Sequence, residues 1–228
     1  MNLLALDTST VACSVALQCG DALAFRHAEE PRAHTRLLLP IIKELLAEAG
    51  IQVSDLDAVI LGNGPGSFIG IRIAASVAQG LCFGAATDLV PVSSLEAVAA
   101  AVFENDDCQR VLVAQDARMH EVYLAGYERG VDGLPIEFMP LCLHGAARLE
   151  NLPQDCCAAG AGWSQHGELW ATNRDQLSGR VDPDYPHARD LLRIGAARRE
   201  QGAAIAPERL QPAYVRERVA MPPGETEL

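Results

Sequence analysis

The most regular hydrophobic pattern in the chain covers residues 34–49. Leucine, isoleucine and alanine recur there at steps of three and four residues, which places them on one broad stripe of an amphipathic helix. Gly50 follows as a stop signal, and Pro40 inside the segment predicts a kink. We therefore expect a helix over residues 34–49, whose stripe faces the core and is wide enough to serve a partner protein as well.

At the beginning of the chain, hydrophobic residues form short continuous runs and not a helical stripe. Three of them suit strands: residues 3–6, 11–17 and 22–26. Asp7 ends the first run, the polar turn Thr8-Ser9-Thr10 follows it, and Gly20-Asp21 is a hairpin signal. The pattern predicts two antiparallel hairpins with a carboxylate at the end of the first strand.

A glycine-rich loop then joins an apolar strand, residues 58–61, to a helix over residues 70–83. The loop contains Gly62, Gly64, Pro65, Gly66 and Ser67. Its small side chains and unusual backbone angles allow a phosphate, a peptide or another helix to approach the main chain. A tight structural turn is the alternative. Because the loop carries no lysine, we favour a close-packing loop that directs the helix toward a partner over a phosphate cradle.

Two faces of the helix predicted over residues 70–83 carry side chains of different size. Gly70, Ala74 and Ala78 share one face at steps of four, with Ala75 beside them, so another helix can approach closely there. The opposite face carries larger apolar residues, which are Ile73, Val77 and Leu81. Tight packing of the small face on the chain's own sheet is the competing interpretation.

The second half of the chain repeats the opening pattern. After a strand at 89–92, a helix at 95–103 and the break at 105–107, residues 110–116 form a strand that ends in Asp116 and is followed by a strand at 121–125. The turn between them, Ala117-Arg118-Met119-His120, is bulky where a phosphate loop needs glycine. We infer a duplicated fold of two lobes, residues 1–105 and 106–228, whose second phosphate loop is degraded.

Fewer elements can be predicted beyond residue 130. We expect a short strand near 156–160, a helix near 163–170 and a helix over 188–199 that can pack back on the first lobe. An extended segment at 210–216 and a disordered tail at 220–228 follow.

Composition and charge narrow the function classes. The net charge is −12 and no segment is clearly basic, so a surface that neutralises nucleic-acid phosphates has to come from a partner. No run approaches the roughly 18 apolar residues of a membrane span. The N-terminus shows no signal peptide, and we therefore expect a cytoplasmic protein without a membrane partner.

Candidate chemistry is sparse. The seven cysteines include no C-x-x-C pair and are expected to be buried thiols, with metal binding or oxidation at Cys156-Cys157 as a weaker alternative. The histidines are isolated, so no metal site is predicted, and the chain lacks a Walker A motif and a nucleophile elbow. Asp7 and Asp116 are either turn-capping carboxylates or parts of a vestigial nucleotide cleft.

Several segments together resemble the TsaB (YeaZ) family over most of the chain. They are residues 4–10, 12–17, 34–50, 62–72, 92–96, 116–118, 121–123 and 212–216. The Gly-Pro-Gly-Ser-Phe stretch, residues 64–68, is the most specific part. One departure is Ile69, where the family usually has threonine.

The resemblance implies an α/β fold of two actin-like (ribonuclease H-like) lobes with mixed central sheets flanked by helices. It implies a non-catalytic subunit of the complex that transfers a threonylcarbamoyl group to the adenosine beside the anticodon of tRNAs reading codons that start with A. The implied partners are a TsaD-like catalytic paralogue, a TsaE-like ATPase and, through the complex, tRNA. No cofactor is implied, with weak ATP or ADP binding at the complex interface left open.

Residue assignments follow from this resemblance. The TsaD-like members carry a His-x-Glu-Gly-His metal motif, and Ser94 and Val98 stand here where its imidazoles would be needed. We assign the vestigial nucleotide cleft to Asp7, Thr8, Ser9 and Asp116. We assign the partner interface to the helices 34–49 and 70–83, through Leu38, Ile42, Gly70, Ala74, Ala75 and Ala78. The alternatives are a homodimer through the same face when the partner is absent, and an actin-like ATP-dependent transferase or peptidase that is active by itself.

Overall fold

The computed structural model describes residues 1–213 and 215. Within these residues, ten strands form two five-stranded sheets. Sheet 1 contains β1 (Asn2–Asp7), β2 (Ala12–Cys19), β3 (Ala22–Glu29), β4 (Ala58–Gly62) and β5 (Asp88–Val92). Sheet 2 contains β6 (Arg110–Arg118), β7 (Glu121–Arg129), β8 (Pro135–His144), β9 (Cys156–Ala159) and β10 (Gly179–Arg180). The predicted tail at 220–228 lies outside the described residues.

The two sheets share one connectivity. Sheet 1 has the order β3-β2-β1-β4-β5, with antiparallel pairs along β1-β2-β3 and parallel pairs along β1-β4-β5. Sheet 2 repeats this order as β8-β7-β6-β9-β10, with the same antiparallel and parallel halves. The fold class, two lobes with mixed sheets, is confirmed.

In the described part of the chain, six α-helices cover the sheets. They are α1 (His34–Ala49), α2 (Phe68–Ala85), α3 (Ser94–Asn105), α4 (Gly162–Gln165), α5 (Gly167–Asn173) and α6 (Ala188–Glu200). Short 3₁₀ turns occupy Val53–Asp55, Arg174–Gln176 and Pro207–Arg209. The predicted helix over residues 34–49 has the bounds of α1, with Pro40 inside it. Strand β8 was not predicted, because Pro135 and Pro140 interrupt its pattern; it lies at the edge of sheet 2, where proline is tolerated.

Each sheet is covered in part by a helix from the other half of the sequence. Helices α1 and α2 pack on one face of sheet 1, whereas α6, from the end of the chain, covers its other face through Leu191 and Ile194. Helix α3 packs Val98 and Val102 against sheet 2 and turns Ala97 toward α6 and sheet 1. The division into domains at residue 105 stays a prediction.

Helix α2 contradicts the statement that no segment is apolar enough for a membrane span. Its 18 residues have a mean hydropathy of 1.5, which by length and composition is enough to cross a membrane. One such helix is weak evidence for a membrane span, because core helices of soluble proteins meet the same criterion. In α2, 33% of the residues are buried, among them Ala74, Ala78 and Cys82, which pack in the core against sheet 1. The inner face of α2 thus belongs to the core, and the absence of a membrane partner stays a prediction.

Two cysteines form a disulfide, which corrects the prediction of seven free thiols. Cys108 precedes β6 and Cys157 lies in the adjacent strand β9, with their Cα atoms 6.4 Å apart. Their separation of 49 residues gave no signal in the sequence, because the proximity depends on the parallel pairing of β6 with β9. Among the described residues, Cys13, Cys19, Cys82, Cys142 and Cys156 are free.

Candidate functional site

Asp7, the carboxylate at the end of β1, is buried and bonded within its own lobe. Its Oδ1 accepts hydrogen bonds from the backbone N–H and the hydroxyl of Ser9, both at 2.7 Å. Its Oδ2 accepts one from the Ser94 hydroxyl at 2.6 Å. Burial raises the pKa of Asp7, and the hydrogen bonds from Ser94 and Ser9 act in the opposite direction. Both carboxylate oxygens are therefore engaged in linking β1 to its own turn and to α3.

Gly62 allows this burial of Asp7. A Cβ atom at position 62 would lie 1.9 Å from Asp7 Oδ2, so only glycine leaves room for the carboxylate beside β4. Asp7 is 1% exposed, and the turn-capping interpretation describes what this side chain does in the structure.

The glycine-rich loop packs directly on the turn that follows Asp7. A Cβ atom at Gly66 would lie 2.1 Å from the Ser9 carbonyl oxygen, and one at Gly70 would lie 2.0 Å from that of Thr8. The backbone N–H of Ser67 donates to the Ser9 carbonyl at 2.6 Å, and the Thr8 hydroxyl donates to the Gly70 carbonyl at 2.7 Å. The two loops thus fill each other's space, and this contact accounts for the glycines without a phosphate.

Gly64 and Pro65 continue the same packing toward α3. The backbone N–H of Gly64 donates to the Ser94 hydroxyl at 3.1 Å, and the N–H of Ser94 donates to the Gly64 carbonyl at 2.8 Å. The Gly64–Pro65 peptide bond is cis. Gly64 has φ +85°, a conformation that favours glycine.

Asp116, the second predicted carboxylate, sits in a different environment. Its side chain is 21% exposed, and its Oδ1 lies 3.0 Å from His166 Nε2 and accepts the Arg118 N–H at 2.9 Å. An ion pair with the Arg118 guanidinium, at 3.1 Å, completes its contacts. His166 precedes α5 and is 50 residues away in sequence, so sequence analysis did not associate the two.

The turn between β6 and β7 is strained as well as bulky. Arg118, Met119 and His120 all have positive φ angles, of 64°, 52° and 58°. Met119 and His120 occupy the two central positions of the hairpin, which usually carry asparagine or glycine. The side chains of these residues therefore fill the turn between β6 and β7, and its assignment as a degraded phosphate loop stays a prediction.

A cleft of about 1020 Å³ separates the two lobes. Sheet 1 and its loops contribute Ser9, Thr10 and Gly66 to its lining, and the second lobe contributes Asp116 and Tyr185. Ser9 and Asp116 thus line one cleft, whereas Asp7 and Thr8 lie behind its surface. That this cleft is a vestigial nucleotide site stays a prediction. Within the described residues, no group of three or more His, Cys, Asp or Glu side chains is arranged to hold a metal ion.

All six residues assigned to the partner interface lie in the core of the first lobe. They are Leu38, Ile42, Gly70, Ala74, Ala75 and Ala78, and each is buried. The small face of α2 approaches the chain's own β1–β2 turn and β4 closely, so no partner can reach it in this conformation. The residue assignment is corrected accordingly.

The outward surface of α2 carries exposed apolar side chains instead, whereas that of α1 combines Leu39 with the charged residues Arg36, Lys43, Glu44 and Glu48. The exposed fractions are 69% for Ile69, 81% for Phe83, 38% for Phe68 and 46% for Leu39. Ile73, Val77 and Leu81 are partly buried at the edge of the core, and Ser76, Gly80 and Gly84 are exposed at steps of four. We call the outward-facing residues of α2, namely Phe68, Ile69, Arg72, Ile73, Ser76, Val77, Gly80, Leu81, Phe83 and Gly84, the outer α2 face. Arg72 is its charged member, and its guanidinium lies 3.6 Å above the Phe68 ring.

Comparisons with known proteins agree on one family. A family model described as "TsaD: tRNA N6-adenosine threonylcarbamoyltransferase" matches residues 28–162, more than half of the chain. The tRNA threonylcarbamoyladenosine biosynthesis protein TsaB of Escherichia coli (strain K12) is 36% identical over 231 residues, which covers 96% of each chain. The TsaB protein of Haemophilus influenzae is 35% identical over 228 residues, 96% of this chain and 95% of that one.

A solved structure gives the same result. The crystal structure of an uncharacterized protein with similarity to peptidase YEAZ from Pseudomonas aeruginosa superposes with a TM-score of 0.86 at 35% identity. The match covers 94% of this chain and 99% of that chain. YeaZ from Pseudomonas aeruginosa superposes with a TM-score of 0.84 at 34% identity, over 93% of this chain and 99% of the other.

Proposed function

The chain belongs to the TsaB (YeaZ) family, and from this premise we propose that it is a non-catalytic subunit that binds and activates a TsaD-like catalytic paralogue. Its role in threonylcarbamoyladenosine modification of tRNA follows from the family itself. The observation that carries the proposed partner binding is the exposed outer α2 face, which is apolar apart from Arg72. Exposed apolar patches on globular proteins mark interaction sites.

Two properties of the outer α2 face suit a helix of a partner. Ile69 and Phe83, near its two ends, would bury large apolar side chains, at about 25 cal/mol for each Å² removed from water. Between them, Ser76, Gly80 and Gly84 have little or no side chain, and a Cβ atom at Gly80 or Gly84 would meet nothing within 4 Å. A second helix can therefore approach the backbone of α2 closely along this strip.

The absence of intrinsic catalysis is supported by the state of the two carboxylates. Both oxygens of Asp7 accept hydrogen bonds within the chain, and Asp116 is bonded to Arg118 and His166. A phosphate or metal ion would have to displace these contacts.

The second candidate function is an actin-like ATP-dependent transferase or a peptidase active by itself. It draws on the cleft and on the similarity to peptidase YEAZ ascribed to the Pseudomonas aeruginosa protein.

The remaining partners belong to the same proposal. We place a TsaE-like ATPase and tRNA in the complex, with tRNA bound through the other subunits because the chain carries a net charge of −12. A homodimer through the outer α2 face forms when the paralogue is absent, because the same apolar surface needs cover. We propose a cytoplasmic location and no resident cofactor, with weak ATP or ADP binding confined to the complex interface.

The deciding experiment is co-purification of this chain with the TsaD-like paralogue from the same genome. We expect Ile69→Glu and Phe83→Glu each to weaken the complex at least about tenfold, because each places a charge in an apolar interface at a cost above about 1.4 kcal/mol. Glu200→Gln, an exposed change on α6, is the matched control and should leave the complex intact.

Two further measurements separate the candidate functions. Modification of tRNA should require both subunits, and calorimetry should detect no tight ATP binding by the isolated chain. Unchanged association of both glutamate variants would contradict the interface, whereas turnover by the purified chain alone would contradict the non-catalytic assignment.

A further inference from the structure

The cleft between the lobes borders the outer α2 face. Phe68, Ile69 and Ile73 belong to that face and also line the cleft from the side of the first lobe. The second lobe contributes Arg118 and Met119, which lie in the turn between β6 and β7. One surface therefore continues from α2 over the cleft onto the β6–β7 turn of the other lobe.

Exposed apolar side chains lie on both sides of this cleft. Phe68 and Ile69 are 38% and 69% exposed in the first lobe, and Met119 is 50% exposed in the second. Because all three side chains line one cleft, a partner that covers Phe68 and Ile69 can cover Met119 as well. Methionine suits such a contact, since its flexible and polarizable side chain adapts to irregular surfaces.

The backbone of the β6–β7 turn holds the Met119 side chain in place at a conformational cost. Arg118, Met119 and His120 have φ angles of 64°, 52° and 58°, a region that L side chains rarely adopt. Asparagine or glycine would close the same two-residue hairpin with less strain. Strained backbone is concentrated at binding and switch sites. The strain therefore points to a function of the exposed Met119 side chain at the surface.

The charges around the cleft indicate which kind of partner surface fits it. Among the described residues, the charged side chains that line it are Arg32, Asp116 and Arg118. Arg72 adds a positive charge on the outer α2 face, beside the Phe68 ring. These residues give a local excess of positive charge in a chain whose net charge is −12. A complementary surface would carry carboxylates around an apolar centre.

We propose that the TsaD-like paralogue binds across the cleft, with Met119 as its contact on the second lobe. The inference rests on the proposed function, because it extends the same interface. The partner surface is apolar where it meets Phe68, Ile69 and Met119, and it is acidic where it meets the arginines around the cleft. The complex therefore engages both lobes of the chain.

Hydrogen exchange of the full chain, alone and in complex with the paralogue, gives the direct test. Backbone amides of α2 and of the β6–β7 turn should both exchange more slowly in the complex. The β7–β8 turn at residues 130–134, which contains the exposed Val131, is the internal control and should exchange at an unchanged rate. Slower exchange in α2 alone would overturn this proposal and leave the proposed function intact.

A charged substitution at Met119 gives the second test. Met119→Glu should weaken association with the paralogue at least about tenfold, because it places a carboxylate in an apolar contact that faces an acidic surface. Ile136→Glu is the matched control. Ile136 is 51% exposed on β8 and does not line the cleft, so this variant should leave the affinity unchanged.

A pair of glycine substitutions separates the side chain of Met119 from the strain of its backbone. Met119→Gly and His120→Gly both relieve a positive φ angle, so neither should lower the denaturation midpoint of the isolated chain. Met119→Gly should nevertheless weaken the complex about fivefold, because the apolar area of the half-exposed side chain is no longer buried. His120→Gly keeps Met119 and should leave the affinity unchanged.

The acidic character of the partner surface is tested at Arg32. Arg32→Glu should slow association about threefold at low salt, and the difference should diminish as salt is added. Arg174→Glu reverses an exposed arginine that does not line the cleft and should leave the rate unchanged. An unchanged rate for Arg32→Glu would contradict an acidic partner surface.

The glutamate variants of the two lobes distinguish this proposal from the proposed function. If Ile69→Glu and Phe83→Glu weaken the complex whereas Met119→Glu and Met119→Gly do not, the contact on the second lobe is overturned and the outer α2 face stands. If none of these four variants weakens the complex, the proposed interface on α2 is itself overturned.

Discussion

At the scale of single residues, three glycines allow the β1–β2 turn and the loop before α2 to occupy one small volume. Positions 62, 66 and 70 each lie so close to Asp7, Ser9 or Thr8 that a Cβ atom would approach within 2.1 Å of an oxygen atom. The carboxylate of Asp7 and the hydroxyl of Ser94 then complete the hydrogen bonding between these segments. The Asp7 carboxylate and the Ser94 hydroxyl thus serve to hold the packed segments together.

The first prediction concerns Gly62. Gly62→Ala would place a methyl group 1.9 Å from Asp7 Oδ2 and should lower the free energy of unfolding by about 2–4 kcal/mol, measured by chemical denaturation. Gly80→Ala is the matched control. It meets nothing within 4 Å in the middle of α2 and should raise stability by up to about 1 kcal/mol through helix propensity. Equal stability of both variants would contradict this account of the loop.

At the scale of elements, α2 has two apolar faces with different roles. The face of Gly70, Ala74 and Ala78 is buried on sheet 1, whereas the outer α2 face is exposed and is the surface proposed for partner binding. The sequence shows both faces and their periodicity. It does not show which one meets the sheet, because small residues permit close packing equally well on the chain itself and on another protein.

One leucine substitution on each face of α2 should distinguish the roles of the two faces. Ala74→Leu should lower the free energy of unfolding of the isolated chain by about 1–3 kcal/mol, because the site is fully buried and cannot accommodate three more carbon atoms without strain. Ser76→Leu, two positions away and exposed, should leave stability within about 0.5 kcal/mol of the parent.

The same two substitutions should affect association with the TsaD-like paralogue differently from the way they affect stability. Ser76→Leu fills the strip of small residues and should reduce association with the TsaD-like paralogue although the chain remains folded. A stable Ala74→Leu variant would mean that the small face is not closely packed in solution.

At the scale of the whole molecule, α3 and α6 connect the two lobes. Helix α3 follows sheet 1 in sequence but packs largely on sheet 2, and α6 returns to sheet 1. Between them, the Arg198 guanidinium donates to Glu96 at 2.6 Å and to the Pro91 carbonyl at 3.1 Å. Glu96 is 8% exposed, and burial raises its pKa while the pairing with Arg198 lowers it.

Breaking this pair should therefore be costly. Arg198→Met leaves the carboxylate of Glu96 buried without a cation and should reduce the free energy of unfolding by about 2–4 kcal/mol. Adding Glu96→Gln removes the unpaired charge and should recover a large part of that loss. A double-mutant cycle by chemical denaturation measures the coupling, and simple additivity of the two changes would contradict it.

Local sequence pattern predicts the strands and main helices of the first 130 residues, the duplicated strand–Asp–turn and the bulky turn at residues 117–120, but it misses strands β8 and β10. These follow from hydrophobic period and from turn chemistry, which neighbouring residues fix. Four further features appear only in the three-dimensional structure: which face of α2 is buried, the Cys108–Cys157 disulfide, the contact of His166 with Asp116 and the burial of Asp190 beside Arg189. Each of these depends on the pairing of distant segments, which periodicity along the chain does not encode.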